Sequence, residues 1–252
     1  MTDFDLEQKA FFENGFLLID TGIKEDIFNK VLDTLEPYWA DKVAPVGVLN
    51  YKLQEENLKR GSNRLQDLWS VVPEVKSIAL NESILNLLKK IFGKMPRPFQ
   101  TLNFPVGTEQ GVHSDAVHFN SDPFGLMCGV WVALEDIHQD QGPLVYFPES
   151  HNLPMVTEKV VGFKPTSENY PRLVSYWEEK IKEKPYQREL GILKKGQAII
   201  WHANLLHGGA PQTNKAKSRN SQVTHYYLEG AKPWRQLQSS ESKEYFEPNW
   251  IS

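Results

Sequence analysis

The chain reads as a mainly β protein with its helices gathered at the N-terminal end, and three observations predict this. Apolar residues recur at helical spacing through the first part of the sequence. From Pro96 onward, short aromatic and β-branched runs broken by Gly and Pro take over. Those runs follow one another mostly without helical pattern between them, which favours a barrel or sandwich over a parallel βαβ sheet.

Taken in order, Asp5–Phe12 carries apolar residues on one helical face and stops at Asn14-Gly15. Phe16–Ile19 is a short apolar run, expected as a buried strand. Lys24–Leu35 and Glu82–Phe92 repeat the helical spacing, with Gly93 as a stop signal. Asn50–Asn63 is polar and reads as loop. Strands are expected at Phe99–Phe104, Leu126–Leu134, Pro143–Phe147, Gly196–His202 and Gln222–Leu228. Ser167–Lys184, charged but carrying Tyr170, Leu173, Tyr176 and Trp177, is expected to be a helical insertion between strands. With no internal repeat and no Gly/Ser linker, the expected organisation is one domain over 1–252. It comprises a mainly helical part at 1–95 and a β core at 96–252, with the insertion near 156–185.

Composition narrows the function. The 252 residues are 40% hydrophobic and 24% charged, as in an ordinary globule. A net charge of −4 argues against nucleic-acid binding, and no apolar stretch is long enough to span a bilayer. The N-terminus has acidic residues where a secretory signal has basic ones. Cys128 is the only cysteine, so no internal disulfide can form, and a cytoplasmic, reducing setting is expected. The same count excludes a thiolate cluster, so any metal site must be built from His and carboxylate.

His113-Ser114-Asp115 places an imidazole and a carboxylate at i and i+2, which share a face on an extended backbone. His207 lies far downstream in Leu205-Leu206-His207-Gly208-Gly209, after the strand that ends near Trp201. Two histidines and a carboxylate on one face of an octahedral ion leave positions open, as in the facial triad of non-haem iron(II) oxygenases. Arg219, twelve residues after His207, offers a guanidinium that can hold a distal carboxylate through two parallel hydrogen bonds. HxD alone is weak evidence, but HxD, a barrel-like region, a Trp-containing strand, then His and Arg in that order is specific. Taken singly, His113 and Asp115 are a loop pair, His207 a core histidine and Arg219 part of a solvated basic loop. Trp131 and Trp201 read equally well as core fillers, Cys128 as a buried apolar residue and Glu178–Lys184 as a solvated helix face.

The segment His113–His225 resembles the phytanoyl-CoA dioxygenase family of 2-oxoglutarate-dependent oxygenases. The stretches that carry the resemblance are His113-Ser114-Asp115, Gly129–Ile137, Gln141–His151, His207-Gly208-Gly209, and Arg219 with His225-Tyr226. The resemblance implies a double-stranded β-helix (jelly-roll, cupin-like) core. It implies iron(II) held by His113, Asp115 and His207, and 2-oxoglutarate gripped by Arg219, with Gln100 and Trp131 lining the co-substrate pocket. Dioxygen would be the second co-substrate and ascorbate a possible reductant. Members often carry a hydroxyl residue two places after the distal histidine; here that place is Gly209, and Ser221 or Thr101 is expected to supply the missing donor. Retention of Asp115 argues against the halogenating relatives. The implied reaction is hydroxylation of an unactivated C–H bond in a small organic molecule, with succinate and CO2 released. Desaturation, epimerisation or ring closure are alternative outcomes. A catalytically silent cupin-like binding protein and a protein-modifying oxygenase are the other readings. Loops Val106–Gly111 and His118–Pro123 and the insertion Val156–Lys184 are expected to frame the pocket mouth; their mix of Asn120, Ser121, Tyr170, Tyr176 and Lys164 suits a polar or mixed ligand, and His118 is the histidine expected to touch it. The other histidines, His138, His151, His202 and His225, are expected to be structural or to support the ligands.

Overall fold

The computed structural model describes residues 3–40, 64–239 and 242–252. The polar stretch expected as loop at Asn50–Asn63 lies outside them. Four helices come first: α1 (Asp3–Asn14), α2 (Glu25–Ala40), α3 (Pro73–Ala79) and α4 (Glu82–Phe92), with strands β1 (Phe16–Asp20) and β2 (Leu65–Gln66) among them. Helix α4 shows why such segments fold locally. The Asn81 side chain accepts a hydrogen bond from Ile84 N at 3.2 Å. Ile84, Leu88 and Ile91 then bury one stripe, and Gly93 ends the helix at a φ of 63°, which a side chain would resist. Helix α3 was not expected; it is under two turns long, too short for its spacing to stand out, and Pro73 supplies a preset first-turn φ.

The β region follows with β3 (Pro96–Phe104), β4 (Asn120–Asp122), β5 (Met127–Ala133), β6 (Leu144–Tyr146), β7 (Glu189–Leu190), β8 (Gln197–His202), β9 (His207–Gly209), β10 (Ser221–Leu228) and β11 (Lys232–Trp234). The major sheet has six strands in the order β1-β8-β5-β10-β3-β2, and a smaller sheet has the order β7-β6-β9. All of these pairings are antiparallel. The two sheets face each other as the halves of a jelly roll. Helices α5 (Glu158–Val161) and α6 (Tyr170–Glu183) form the expected insertion between β6 and β7.

Strand alternation divides the core into two layers. On β5 and β8, Cys128, Val130, Val132, Ala198 and Ile200 pack outward against the helical layer of Phe11, Phe28, Val31, Ile84 and Leu88. Trp131, Ala133, Ile199 and Trp201 point inward, between the sheets. Both faces of β5 are therefore buried, and its sequence is correspondingly one unbroken apolar run. The small sheet is covered on its far side by α6, whose Leu173 and Trp177 pack with Val145, Phe147 and Leu206. Strand β1 corrects an expectation: it is the edge of the major sheet, none of its residues is fully buried, and Leu18 is 47% exposed. Among the described residues no helix is long and apolar enough to cross a membrane.

Candidate metal centre and co-substrate pocket

His113 and His207 are brought together by backbone pairing. His207 starts β9, and the two residues form an antiparallel bridge with N–H···O bonds of 2.9 and 3.0 Å in both directions. Directly opposed residues of an antiparallel pair project from the same face, so the rings lie side by side with centroids 4.4 Å apart. Ser114 continues the extended backbone, and its hydroxyl caps the short 3₁₀ turn at Asp115–Val117. Asp115 thus stands on the face of His113. Its carboxylate lies 3.6 Å from His113 Nε2 and 3.7 Å from His207 Nε2. One ligand atom from each residue lies within 4.8 Å of the others, and all three residues are buried.

The tautomers suit a cation. His113 Nδ1 is 2.9 Å from Gly111 O and His207 Nδ1 is 3.0 Å from Leu205 O. A carbonyl only accepts, so both Nδ1 atoms carry the proton and both Nε2 lone pairs face the centre. Burial, reinforced by His207 nearby, lowers the His113 pKa to about 3 and keeps the ring neutral. Burial alone would raise the Asp115 pKa, but the surrounding His207, His225 and His113 outweigh it and hold it well below the carboxylate range. Two imidazoles that present Nε2 and an ionised carboxylate are a donor set for a divalent ion such as iron(II).

Two further groups orient Asp115. Trp201 Nε1 donates to Asp115 Oδ2 at 2.8 Å. His225 Nε2 is 3.4 Å from the same oxygen, and its Nδ1 is 3.0 Å from Gln100 Oε1. Trp201 is therefore more than a core filler, and His225 supports the ligands as expected. Gln100 reaches the centre through His225 while also lining the cavity.

A cavity of about 270 Å³ opens over the triad, walled by Leu102, Phe104, Trp131 and Val223 of the major sheet and Leu144 and Gly209 of the small one. Arg219 forms part of this wall two residues before β10 begins, and it is 4% exposed rather than solvated. Its Nη1 donates to Ser221 Oγ at 3.2 Å and its Nη2 to Val106 O at 2.9 Å, while Nε is buried without a partner. The rings of Phe104 and Trp131 each lie 5.5 Å from its Cζ. Burial lowers the guanidinium pKa to about 10 against the opposing pull of Glu135, so it stays charged at neutral pH.

Gly208 and Gly209 allow loop 108–111 to lie against β9. A Cβ on Gly209 would fall 2.6 Å from Glu109 N and 2.6 Å from Thr108 Oγ1. Thr108 lines the cavity, with its hydroxyl where a side chain at 209 would begin. The expected substitutes fit less well. Gln100, Leu102 and Phe104 of β3 face the cavity, so strand alternation turns Thr101 to the opposite side. Ser221 accepts from Arg219 and is not among the residues that line the cavity.

The mouth differs in part from expectation. Tyr170 and His118 line it, with His118 Nε2 3.5 Å from Tyr170 Oη. Asn120 and Ser121 instead sit buried in the β4–β11 ribbon, and Tyr176 and Lys164 lie away from the cavity. Arg64 and Gln66 line it too, and sequence reasoning missed them. Gln110, in the loop Val106–Gly111 expected at the mouth, lines it as well, with its Nε2 3.4 Å from His113 Nε2.

Comparison with known proteins now bears on this geometry. A family model described as phytanoyl-CoA dioxygenase (PhyH) matches residues 11–221. The chain belongs to the phytanoyl-CoA dioxygenase family. Phytanoyl-CoA dioxygenase domain-containing protein 1 of Danio rerio is 28% identical over 195 residues, covering 73% of this chain and 59% of that protein. Peroxisomal phytanoyl-CoA dioxygenase of Mus musculus is 26% identical over 227 residues, covering 81% and 62%. The chain thus matches about three fifths of the length of these relatives. Among solved structures, the non-heme alpha ketoglutarate dependent carbocyclase SnoK from nogalamycin biosynthesis superposes with a TM-score of 0.70 at 16% identity, over 96% of this chain and 93% of that one. EctD from S. alaskensis, solved with 2-oxoglutarate and 5-hydroxyectoine, gives 0.67 at 15% identity, over 95% and 81%. These likenesses establish the jelly-roll fold expected of the family.

Proposed function

We propose that the chain is an iron(II)- and 2-oxoglutarate-dependent dioxygenase that hydroxylates an unactivated C–H bond of a small organic molecule, releasing succinate and CO2. The observation that carries this reading is the convergence of His113, Asp115 and His207 in a cavity that also exposes the charged Arg219. Iron, when bound, supplies the activation of dioxygen that drives oxidative decarboxylation of the keto acid. The protein's own residues do the rest. His113, Asp115 and His207 would hold the ion at the floor of the cavity. Trp201 and His225 fix the carboxylate, and the backbone carbonyls of Gly111 and Leu205 fix the imidazoles. Arg219, flanked by Phe104 and Trp131, would receive the distal carboxylate of the keto acid, and the Thr108 hydroxyl would assist it in place of a side chain at Gly209. Gln100 and Trp131 complete the co-substrate wall. Apolar walls at Leu102, Leu144 and Val223 limit water beside the reacting centre.

The lone, buried Cys128 is compatible with a cytoplasmic setting, and one catalytic unit spanning the whole chain accounts for the shared cavity. Similarly folded enzymes include an epimerase and a carbocyclase, so epimerisation and ring closure are the alternative outcomes. The test is succinate release with added iron(II), 2-oxoglutarate and ascorbate. The wild-type chain should produce succinate and Asp115→Ala should not. A wild-type chain that binds metal yet forms no succinate with a broad panel of small organic acids, amines and alcohols would favour the silent cupin-like reading.

A further inference from the structure

The iron cavity has a neighbour. A second cavity of about 240 Å³ is lined by Val117, Ser167, Arg235 and Leu237, and it shares His118 and Tyr170 with the first. The partition between the two is thus one pair of side chains, joined by a contact of 3.5 Å at the outer limit of a hydrogen bond. A rotation of Tyr170 at the start of α6 would merge them.

Size calls for this second space. The cavity over the triad, about 270 Å³, lies below the roughly 300–1,000 Å³ usual for a single ligand. On the reading above it must hold the keto-diacid as well as the substrate. The two cavities together fall within that range.

Charge says what the outer space receives. Arg235, just after β11, is its cation, and no carboxylate pairs with it among the described residues. Its guanidinium lies 4.4 Å from the Phe246 ring and 5.9 Å from Phe119, which itself lines the iron cavity. Its Nε is buried with no hydrogen-bond partner. Burial keeps His118 mostly neutral, so the ring offers hydrogen bonding without a second charge. The hydroxyl of Ser167 and the amide of Gln238 add polar groups on the same wall.

We infer that Arg235 is the anion subsite for the primary substrate, which is therefore an oxyanion-bearing small molecule whose charged end rests on Arg235 while its reacting carbon reaches past His118 and Tyr170 to the metal. This rests on the oxygenase reading and adds the substrate class to it. Carboxylate and phosphate share the chemistry a guanidinium recognises, so both enter the test.

The experiment uses the full chain loaded anaerobically with iron(II) and 2-oxoglutarate, so that Arg219 is already engaged. Acetate, inorganic phosphate and the neutral acetamide are titrated by calorimetry at constant ionic strength, against the wild type, Arg235→Lys and Arg235→Gln. Expected is saturable binding of acetate or phosphate, absent for acetamide, and weakened roughly tenfold or more in Arg235→Gln as a hydrogen-bonded charge pair requires. Arg235→Lys should fall between, and 2-oxoglutarate affinity should be unchanged in both variants, which also verifies that they fold. The tighter anion identifies the headgroup. Equal anion binding by wild type and Arg235→Gln, acetamide binding as well as acetate, or no saturable binding would each overturn the inference. If iron and 2-oxoglutarate fail to load on the wild type, the oxygenase reading falls with it; if they load and the anions do not bind, only Arg235's assignment falls.

Discussion

Replacing Trp201 by phenylalanine removes a single polar contact at the metal centre, the Nε1–H donated to Asp115 Oδ2 at 2.8 Å. The acceptor is a buried carboxylate, and hydrogen bonds to charged groups contribute about 1.5–3 kcal/mol. At about 1.4 kcal/mol per decade, that converts to a metal affinity about 10- to 100-fold weaker, the range observed when outer-shell partners of metal ligands are lost. Gly129 supplies an independent perturbation of the same contact. A Cβ there would overlap the Trp201 indole, so Gly129→Ala should push the ring off Asp115 while leaving every polar group in place. The assay is anaerobic titration of each variant with iron(II), or with cobalt(II) as a spectroscopic substitute, after circular dichroism has verified folding. Both variants should bind metal at least about tenfold more weakly than wild type. If both fold and both bind within about twofold of wild type, a difference under 0.5 kcal/mol, then the indole does not organise Asp115 and the reasoning fails.

Two further outcomes are expected. Thr108→Val keeps the shape and loses the hydroxyl, so the KM for 2-oxoglutarate should rise about tenfold with kcat little changed, while Thr108→Ser restores it; the reverse pattern, a fall in kcat at constant KM, would remove Thr108 from co-substrate binding. His202 predicts acid sensitivity. Burial, with His151 adding to it, lowers its pKa from 6.5 to about 4. Between those values the unfolded chain binds a proton that the folded chain does not, so stability is complete above pH 6.5 and declines as the pH falls toward 4. The ceiling on this effect is about 3 kcal/mol. Urea midpoints measured from pH 7 to 4 should drop less steeply in His202→Gln than in wild type, and parallel slopes would contradict the assignment.

What could be read directly from the sequence is whatever depends on local pattern. Period 3.6 marks α1, α2, α4 and α6, and short apolar runs mark β3, β5, β6, β8 and β10, because backbone geometry converts spacing into a buried face without reference to distant residues. The metal ligands were legible for a related reason: the i, i+2 spacing of His113 and Asp115 is local, and the order of His207 and Arg219 behind them is part of the family pattern. Short elements were not: the seven residues of α3 span under two turns, and the two or three residues of β2, β7 and β9 carry no period and pair only when a partner strand presents itself.

Tertiary structure alone decided which groups face one another. The bridge of His113 with His207, the indole of Trp201 on Asp115, and the hydroxyl of Thr108 over Gly209 join residues separated by tens of positions or more. Strand alternation tells which side chains share a face, but the register within each sheet and the packing of one sheet on the other determine what lies across from them. The same holds for Arg219, which the sequence sets in a basic loop and the fold buries beside the ligands, because burial is a property of the packed sheets and not of the residue.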